Sequence, residues 1–130
     1  MSQENVKVVR AAFEAFNERD FRTAADAFDR DVEWDSTVLI DEEVIHGRAA
    51  MLEYWERISG TFPFVHKELR FVDAGDQVCV LAHLHAQGAG SGVELMQPVG
   101  YAMTMRAGAI TAARTYRTHA QALKAVGLEE

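Results

Sequence analysis

An aspartate stands directly after a tryptophan in the segment Val-Glu-Trp-Asp at residues 32–35. A carboxylate that a large aromatic side chain shields from water has a raised pKa and can act as a general base or acid. A carboxylate at the rim of a pocket is only a solubilising charge. We therefore take Asp35 as the candidate catalytic base and Trp34 as a candidate pocket residue. If Asp35 faces a cavity, we expect its pKa to lie above the usual value of about 3.9.

The one cysteine and two of the histidines fall on the same face of a predicted strand, as Cys79, His83 and His85. Side chains two positions apart on a strand are roughly 7 Å from one another, which is long for two ligands of one zinc ion. No carboxylate completes the set, so the sequence predicts no metal and no cofactor. His83 then has two interpretations. It is either a polar group of a ligand pocket or part of a polar stripe on the outer sheet face.

The spacing of apolar residues changes near Gly60. Before Gly60, steps of three and four predict helices over 3–17 and 21–28 and a third from Gly47 to Gly60, with a short strand over 31–37. After Gly60, alternation predicts strands around 65–71 and over 77–87, 93–106 and 109–118, then a helical turn over 120–126. A loop over 38–46 holds Asp41, Glu42 and Glu43, and Gly88, Gly90 and Gly92 mark a hairpin end or bulge. This order predicts an α+β fold, a curved antiparallel sheet wrapped by three N-terminal helices, in one domain over 1–130.

The composition narrows the possible partners. The chain has 130 residues, of which 48% are hydrophobic and 25% charged, as in ordinary globular proteins. Its net charge of −7 argues against nucleic acid and anionic membranes, because both bind basic patches. No apolar run reaches membrane-spanning length, and the lone Cys79 cannot form an internal disulfide. We therefore expect a soluble protein of the cytoplasm.

Several short motifs occur in an order that resembles a known family. They stand at residues 8–10, 16–20 and 32–34, at Gly47-Arg48 and Tyr54-Trp55, and at 73–78, 88–92, 106–110 and 120–128. Their order is similar to that of the SnoaL-like branch of the nuclear-transport-factor-2-like superfamily. The resemblance covers nearly the whole chain. It implies a cone-shaped α+β barrel with an apolar pocket, usually in a dimer.

The resemblance also implies roles for single residues. Ketosteroid isomerases of the superfamily have a general-base aspartate just after the first strand, where this chain has Asp35. The tyrosine of their oxyanion hole corresponds to Ala12, or to Phe13 if the alignment shifts by one, and their late aspartate corresponds to about Gly100. None of these three side chains donates a hydrogen bond, and the loss of one such donor costs about 10²–10³ in rate. The resemblance therefore argues against steroid isomerase activity, while Trp55 matches the aromatic residue that supports the tyrosine.

The expected function is the binding of a small hydrophobic or aromatic molecule. The alternative is an isomerase or cyclase-type enzyme with Asp35 as its base. On late strands, family pockets carry polar groups, although a bulge would reverse which side chains face inward. The candidate pocket residues are Trp34, Tyr54, Trp55, His83, Tyr101 and Tyr116.

A homodimer is expected from the two faces of the 77–87 strand. Val78 and Val80 lie on one face, while Cys79 and Leu81 lie on the other. Three helices are too few to cover both apolar faces of one sheet. Large exposed apolar patches usually mark an interface. We therefore predict that two copies pair through the second sheet face.

Overall fold

The computed structural model describes residues 2–37, 44–61, 63–87 and 94–128. Two helices, two strands and a third helix come first, and four strands then follow in succession before a last helix. In chain order the elements are α1 Ser2–Asn17, α2 Phe21–Ala25, β1 Phe28–Asp35, β2 Ile45–His46, α3 Arg48–Thr61, β3 Phe64–Ala74, β4 Gln77–Gln87, β5 Glu94–Arg106, β6 Ala109–Tyr116 and α4 His119–Ala125. The predicted loop carboxylates Asp41, Glu42 and Glu43, the glycines at 88, 90 and 92, and Val93 lie outside the described residues.

The described strands form one six-stranded sheet in the order β2-β1-β6-β5-β4-β3. The predicted α+β class is confirmed. The sheet is mixed, because β1 pairs with β6 in parallel, and it is open, with β2 and β3 at its two edges. The remaining pairs are antiparallel. A parallel neighbour requires a long connection rather than a hairpin, and the chain between β1 and β6 supplies it. Alternation within a strand carries no information on such a distant pairing.

Two tight turns fix the register of the late strands. Between β3 and β4, the Asp73 carboxylate accepts a hydrogen bond from the amide of Gly75 at 2.9 Å. Between β5 and β6, Ala107 and Gly108 both have positive φ, at 52° and 80°. Positive φ at both central residues is required in the two-residue hairpin turn whose twist matches that of the strands. Strands β4 and β5 pair without interruption from Gln77 opposite Thr104 to Gln87 opposite Glu94. Val80 consequently lies opposite Tyr101.

The inner face of the sheet is covered by α1, α2 and α3. Helix α1 contributes Val9, Phe13 and Phe16 to the core, which meet apolar side chains of β4 and β5 such as Val80 and Met103. Three- and four-residue spacing puts such side chains on one helical face. Helix α2 is shorter than predicted, since it ends at Ala25 and residue 28 already belongs to β1. Among the described helices, none is long and apolar enough to cross a membrane.

The outer face of the sheet is partly covered by α4. Cys79 and Leu81 of β4 are buried there against Ala122 and Leu123 of α4. The apolar surface left for a second copy is therefore smaller than expected, because this short helix of the same chain covers part of the outer face. The dimer itself stays a prediction. Among the described residues, the large apolar side chains that are exposed are Leu95 and Met96 at the start of β5, with 50% and 55% exposure.

Candidate functional site

A cavity of about 600 Å³ lies between the helices and the inner face of the sheet. Volumes of this size are typical of pockets for small molecules. Most of its lining is aromatic or aliphatic, with a few polar groups. The lining residues are Ala12, Phe13, Phe16, Phe28, Trp34, Ser36, Tyr54, Trp55, Arg57, Ile58, Ser59, Phe64, His66, Leu84, Ala86, Leu95, Gln97, Tyr101 and Thr115.

Four of the six residues that the sequence assigned to a pocket line this cavity, namely Trp34, Tyr54, Trp55 and Tyr101. The rings of Trp34 and Trp55 meet edge to face, with centroids 5.5 Å apart, and Trp34 lies 6.1 Å from Tyr101. Edge-to-face packing is the favoured arrangement of aromatic rings. Strand β1, helix α3 and strand β5 each bring an aromatic side chain to the same place.

The other two, His83 and Tyr116, lie on the opposite face of the sheet, so their assignment to the pocket is corrected. His83 Nδ1 is 2.9 Å from the Glu68 carboxylate, and its ring packs on His119. Tyr116 packs beside α4 with the outer cluster. Side chains alternate between faces along a strand. His83 therefore faces away from its neighbours Ala82 and Leu84, and Tyr116 faces away from the cavity residue Thr115.

Asp35 is half-buried and does not belong to the lining of the cavity. Its Oδ1 accepts a hydrogen bond from the hydroxyl of Thr37 at 2.7 Å and another from the Thr37 amide at 3.1 Å. Its Oδ2 lies 3.8 Å from Nε of Arg114. The hydroxyl bond, followed by the amide bond and the charge of Arg114, lowers the pKa of Asp35 against an opposing effect of burial. The condition for a raised pKa, that Asp35 faces the cavity, is not met, because alternation turns Asp35 away from the face that carries Trp34.

His66, a buried histidine of β3, is not among the site residues predicted from the sequence. Its Nε2 is 2.8 Å from the hydroxyl of Tyr101, and both residues line the cavity. Desolvation lowers the pKa of His66 to about 3, so the imidazole is neutral at physiological pH. Burial, with a smaller contribution from Tyr54, raises the pKa of Tyr101, which stays protonated.

A bulge in β3 explains why alternation did not reveal His66. The pairing of β3 with β4 shifts between Lys67 and Arg70, and Glu68 within the bulge has a positive φ of 56°. Before the bulge, the even positions Phe64 and His66 face the core, whereas Leu69 and Phe71 do so after it. A bulge adds one residue to a strand and so exchanges its two faces.

Asn17, at the end of α1, makes two hydrogen bonds to the backbone of His66, which lies in the edge strand β3. Its side-chain amide donates to the carbonyl of His66 at 2.9 Å and accepts from the His66 amide at 2.8 Å. The edges of the Phe13 and Phe16 rings pack against the imidazole, with centroids 5.0 and 5.4 Å away. Backbone and ring of His66 are thus both fixed.

The polar groups of the cavity are few and concentrated. The hydroxyls of Ser36 and Tyr54 are 2.9 Å apart, which adds a second polar pair to that of His66 and Tyr101. Within the described residues, no three metal-ligating side chains come together. Such a site can hold a flat apolar molecule by ring contacts and orient it by one or two hydrogen bonds.

Comparison with known proteins supports the same fold. The structure of a candidate polyketide cyclase from Xanthomonas campestris pv. campestris is 23% identical, with a TM-score of 0.78 over 97% of this chain and 98% of that one. An NTF2-like protein from Burkholderia xenovorans LB400 is also 23% identical, with a TM-score of 0.76 and 97% of both chains covered. A protein with a ketosteroid isomerase-like fold from Catenulispora acidiphila DSM 44928, in complex with trimethylamine, is 19% identical, with a TM-score of 0.73 over 93% and 92% of the two chains.

No curated protein matches the chain. The family model described as SnoaL-like domain matches residues 9–113, from α1 into β6. These residues contain most of the cavity, and the resemblance inferred from the order of the sequence motifs is confirmed. The chain therefore belongs to the SnoaL-like domain family.

Proposed function

We propose that the protein binds a small hydrophobic or aromatic molecule in its central cavity. The observation that carries this proposal is a space of about 600 Å³ lined by aromatic rings of the helices α1 and α3 and of the strands β1, β3 and β5. Apolar pockets of this volume with a few convergent polar groups are the usual form of small-molecule sites. The Catenulispora acidiphila protein of the same fold was crystallised in complex with a small organic molecule, trimethylamine.

The alternative proposal, an isomerase or cyclase-type enzyme with Asp35 as general base, has less support. A general base must lie within hydrogen-bond reach of the proton that it removes. Asp35 is absent from the cavity lining, and two hydrogen bonds from Thr37 stabilise its ionised form. The lowered pKa makes it a weaker base than an ordinary aspartate.

We also propose a homodimer and a cytoplasmic location. The exposed apolar side chain of Met96, on the outer face of β5, supports self-association through that second sheet face. Light scattering coupled to size exclusion should give about twice the chain mass of 14.5 kDa. A monomer that persists at high micromolar concentration would contradict the dimer.

Binding can be tested with naphthalene, a flat aromatic probe. Both tryptophans of the chain, Trp34 and Trp55, line the cavity, so titration should quench or shift their fluorescence. Calorimetry should give a negative heat-capacity change, which marks burial of apolar surface. Saturable binding of one molecule per chain is the expected result.

A matched pair of variants locates the probe. Ala86 lines the cavity and is buried, whereas Ala125 is exposed on α4. Ala86→Leu should weaken naphthalene binding by roughly five-fold or more, because overpacking costs at least about 1 kcal/mol. Ala125→Leu should leave the affinity unchanged. Absence of saturable binding, or equal effects of the two variants, would remove the cavity as the binding site.

A further inference from the structure

We infer that the cavity holds one end of a longer, amphipathic molecule, with a ring system inside and a hydrophilic substituent that leaves through a mouth beside Leu95. The ligand is that of the proposed function, on which this assignment rests. The new element is the direction in which the ligand lies and the part of it that stays in water.

The exposure of the cavity wall changes along strand β5. Tyr101 is 4% exposed, whereas Leu95, which also lines the cavity, is 50% exposed. Six residues separate them, which corresponds to roughly 20 Å along a strand, and their side chains share the inner face of the sheet. The cavity is therefore closed at the Tyr101 end and reaches solvent at the Leu95 end.

The end of strand β6 explains why the wall opens at this place. Strand β5 pairs with β4 from its first residue onward, but β6 pairs with β5 only from Gly100 to Arg106 within the described strands. Residues 94–99 of β5 thus have a strand on one side and, in the described part of the sheet, none on the other. The start of β5 forms one rim of an opening that a longer β6 would close.

The rim of the mouth is more polar than the interior. Among the described residues that line the cavity, the exposed ones are Arg57, Leu95 and Gln97. Two of these three carry hydrogen-bonding groups, and the guanidinium of Arg57 lies over the ring of Tyr54, 5.7 Å from its centroid.

The closed end of the cavity is aromatic and buried. Phe16, Trp34, Trp55 and Tyr101 line it, and none of them is more than 9% exposed. A ring system loses its contact with water there, whereas a polar group at that end would be buried at a cost. A hydrophilic substituent at the mouth keeps its hydration and can bond to Gln97 and Arg57. The ligand accordingly enters ring first.

Three probes that differ in the number of hydrophilic chains test this orientation by calorimetry. They are naphthalene, its ether with one tetraethylene glycol chain at position 2, and the diether with chains at positions 2 and 6. The monoether should bind within about three-fold of naphthalene, because its chain stays in water. The diether should bind at least about ten-fold more weakly, because one chain must enter the closed end.

A matched pair of neighbouring residues tests the position of the mouth. Leu95 faces the cavity, while Met96 has a similar exposure of 55% on the outer face. Leu95→Trp should narrow the mouth and weaken the monoether relative to naphthalene by about five-fold or more. Met96→Trp should leave the ratio of the two dissociation constants unchanged.

The outcomes separate this assignment from the proposed function. If naphthalene binds and the monoether does not, the cavity encloses its ligand completely, so the amphipathic ligand is wrong and the proposed function stands. Equal binding of the diether and the monoether would show that the Tyr101 end is not closed. Equal effects of Leu95→Trp and Met96→Trp on the ratio would place the mouth elsewhere. Failure of all three probes to bind removes the proposed function and the assignment together.

Discussion

Substitution of Gly100 by alanine should loosen the contact of α4 with the sheet. Gly100 lies on β5 opposite Leu81 and directly beneath the helix. A methyl group at this position would stand 2.4 Å from Cβ of Ala122 and 3.4 Å from the carbonyl oxygen of Thr118. Non-bonded carbons pack at about 3.5–4.0 Å, so the two methyl groups must separate by more than ~1 Å. Neither can rotate away, because both are attached directly to the backbone.

The cost follows from what α4 must give up when it moves. Overpacking of a filled site costs about 1–3 kcal/mol. Leu123 of α4 is 8% exposed against Cys79 and Leu81, and full burial of a leucine contributes about 1.5–3 kcal/mol. We therefore expect Gly100→Ala to lower the free energy of unfolding by about 2–3 kcal/mol. Urea denaturation should show a lower midpoint at an unchanged slope.

Two further variants make this prediction specific. Gly60 lies within α3, and nothing is within 4 Å of a methyl group added there. Gly60→Ala should therefore be neutral or stabilise the protein by up to about 1 kcal/mol through helix propensity. Ala122→Gly combined with Gly100→Ala should show a favourable coupling of more than about 0.5 kcal/mol. A Gly100→Ala protein within about 0.5 kcal/mol of the wild type would refute the close contact between α4 and β5.

Three other predictions concern the site. Because burial lowers the pKa of His66 to about 3, the unfolded chain binds more protons than the folded one below pH ~6.5. The free energy of unfolding should fall as the pH drops from ~6.5 towards 3, by up to ~1.4 kcal/mol per pH unit, and His66→Gln should reduce this slope in urea titrations. An equal slope in both proteins would contradict the buried neutral imidazole. Asn17→Ala removes both hydrogen bonds to the His66 backbone and should cost about 1–3 kcal/mol. Asn5→Ala, which removes one long exposed bond of 3.5 Å, should cost almost nothing, so equal thermal shifts would argue against the role of Asn17. Asp35 should titrate below the ordinary aspartate range in carboxyl-resolved NMR, because Thr37 and Arg114 stabilise its charge. Asp35→Asn should change naphthalene affinity by less than about two-fold, and a larger loss would return Asp35 to the site.

Much of the architecture was evident in local patterns of the sequence. Three- and four-residue spacing located α1 and α3, and alternation located β4, β5 and β6. Gly75 and Gly108 stand in the two hairpin turns with positive φ, which only a few residue types tolerate. The aromatic side chains Trp34, Tyr54 and Trp55, which the sequence assigned to the pocket, line the cavity.

What remained undecided in the sequence depended on contacts between distant segments. The bulge at Glu68 exchanges the faces of β3 and brings His66 to Tyr101, 35 positions away. Whether Tyr101 or Tyr116 faces the cavity depends on strand register, and a shift of one residue reverses every side chain. Local spacing specifies which residues share a face. Only the pairing of strands and the docking of α4 determine which face encloses the cavity and which is covered from outside.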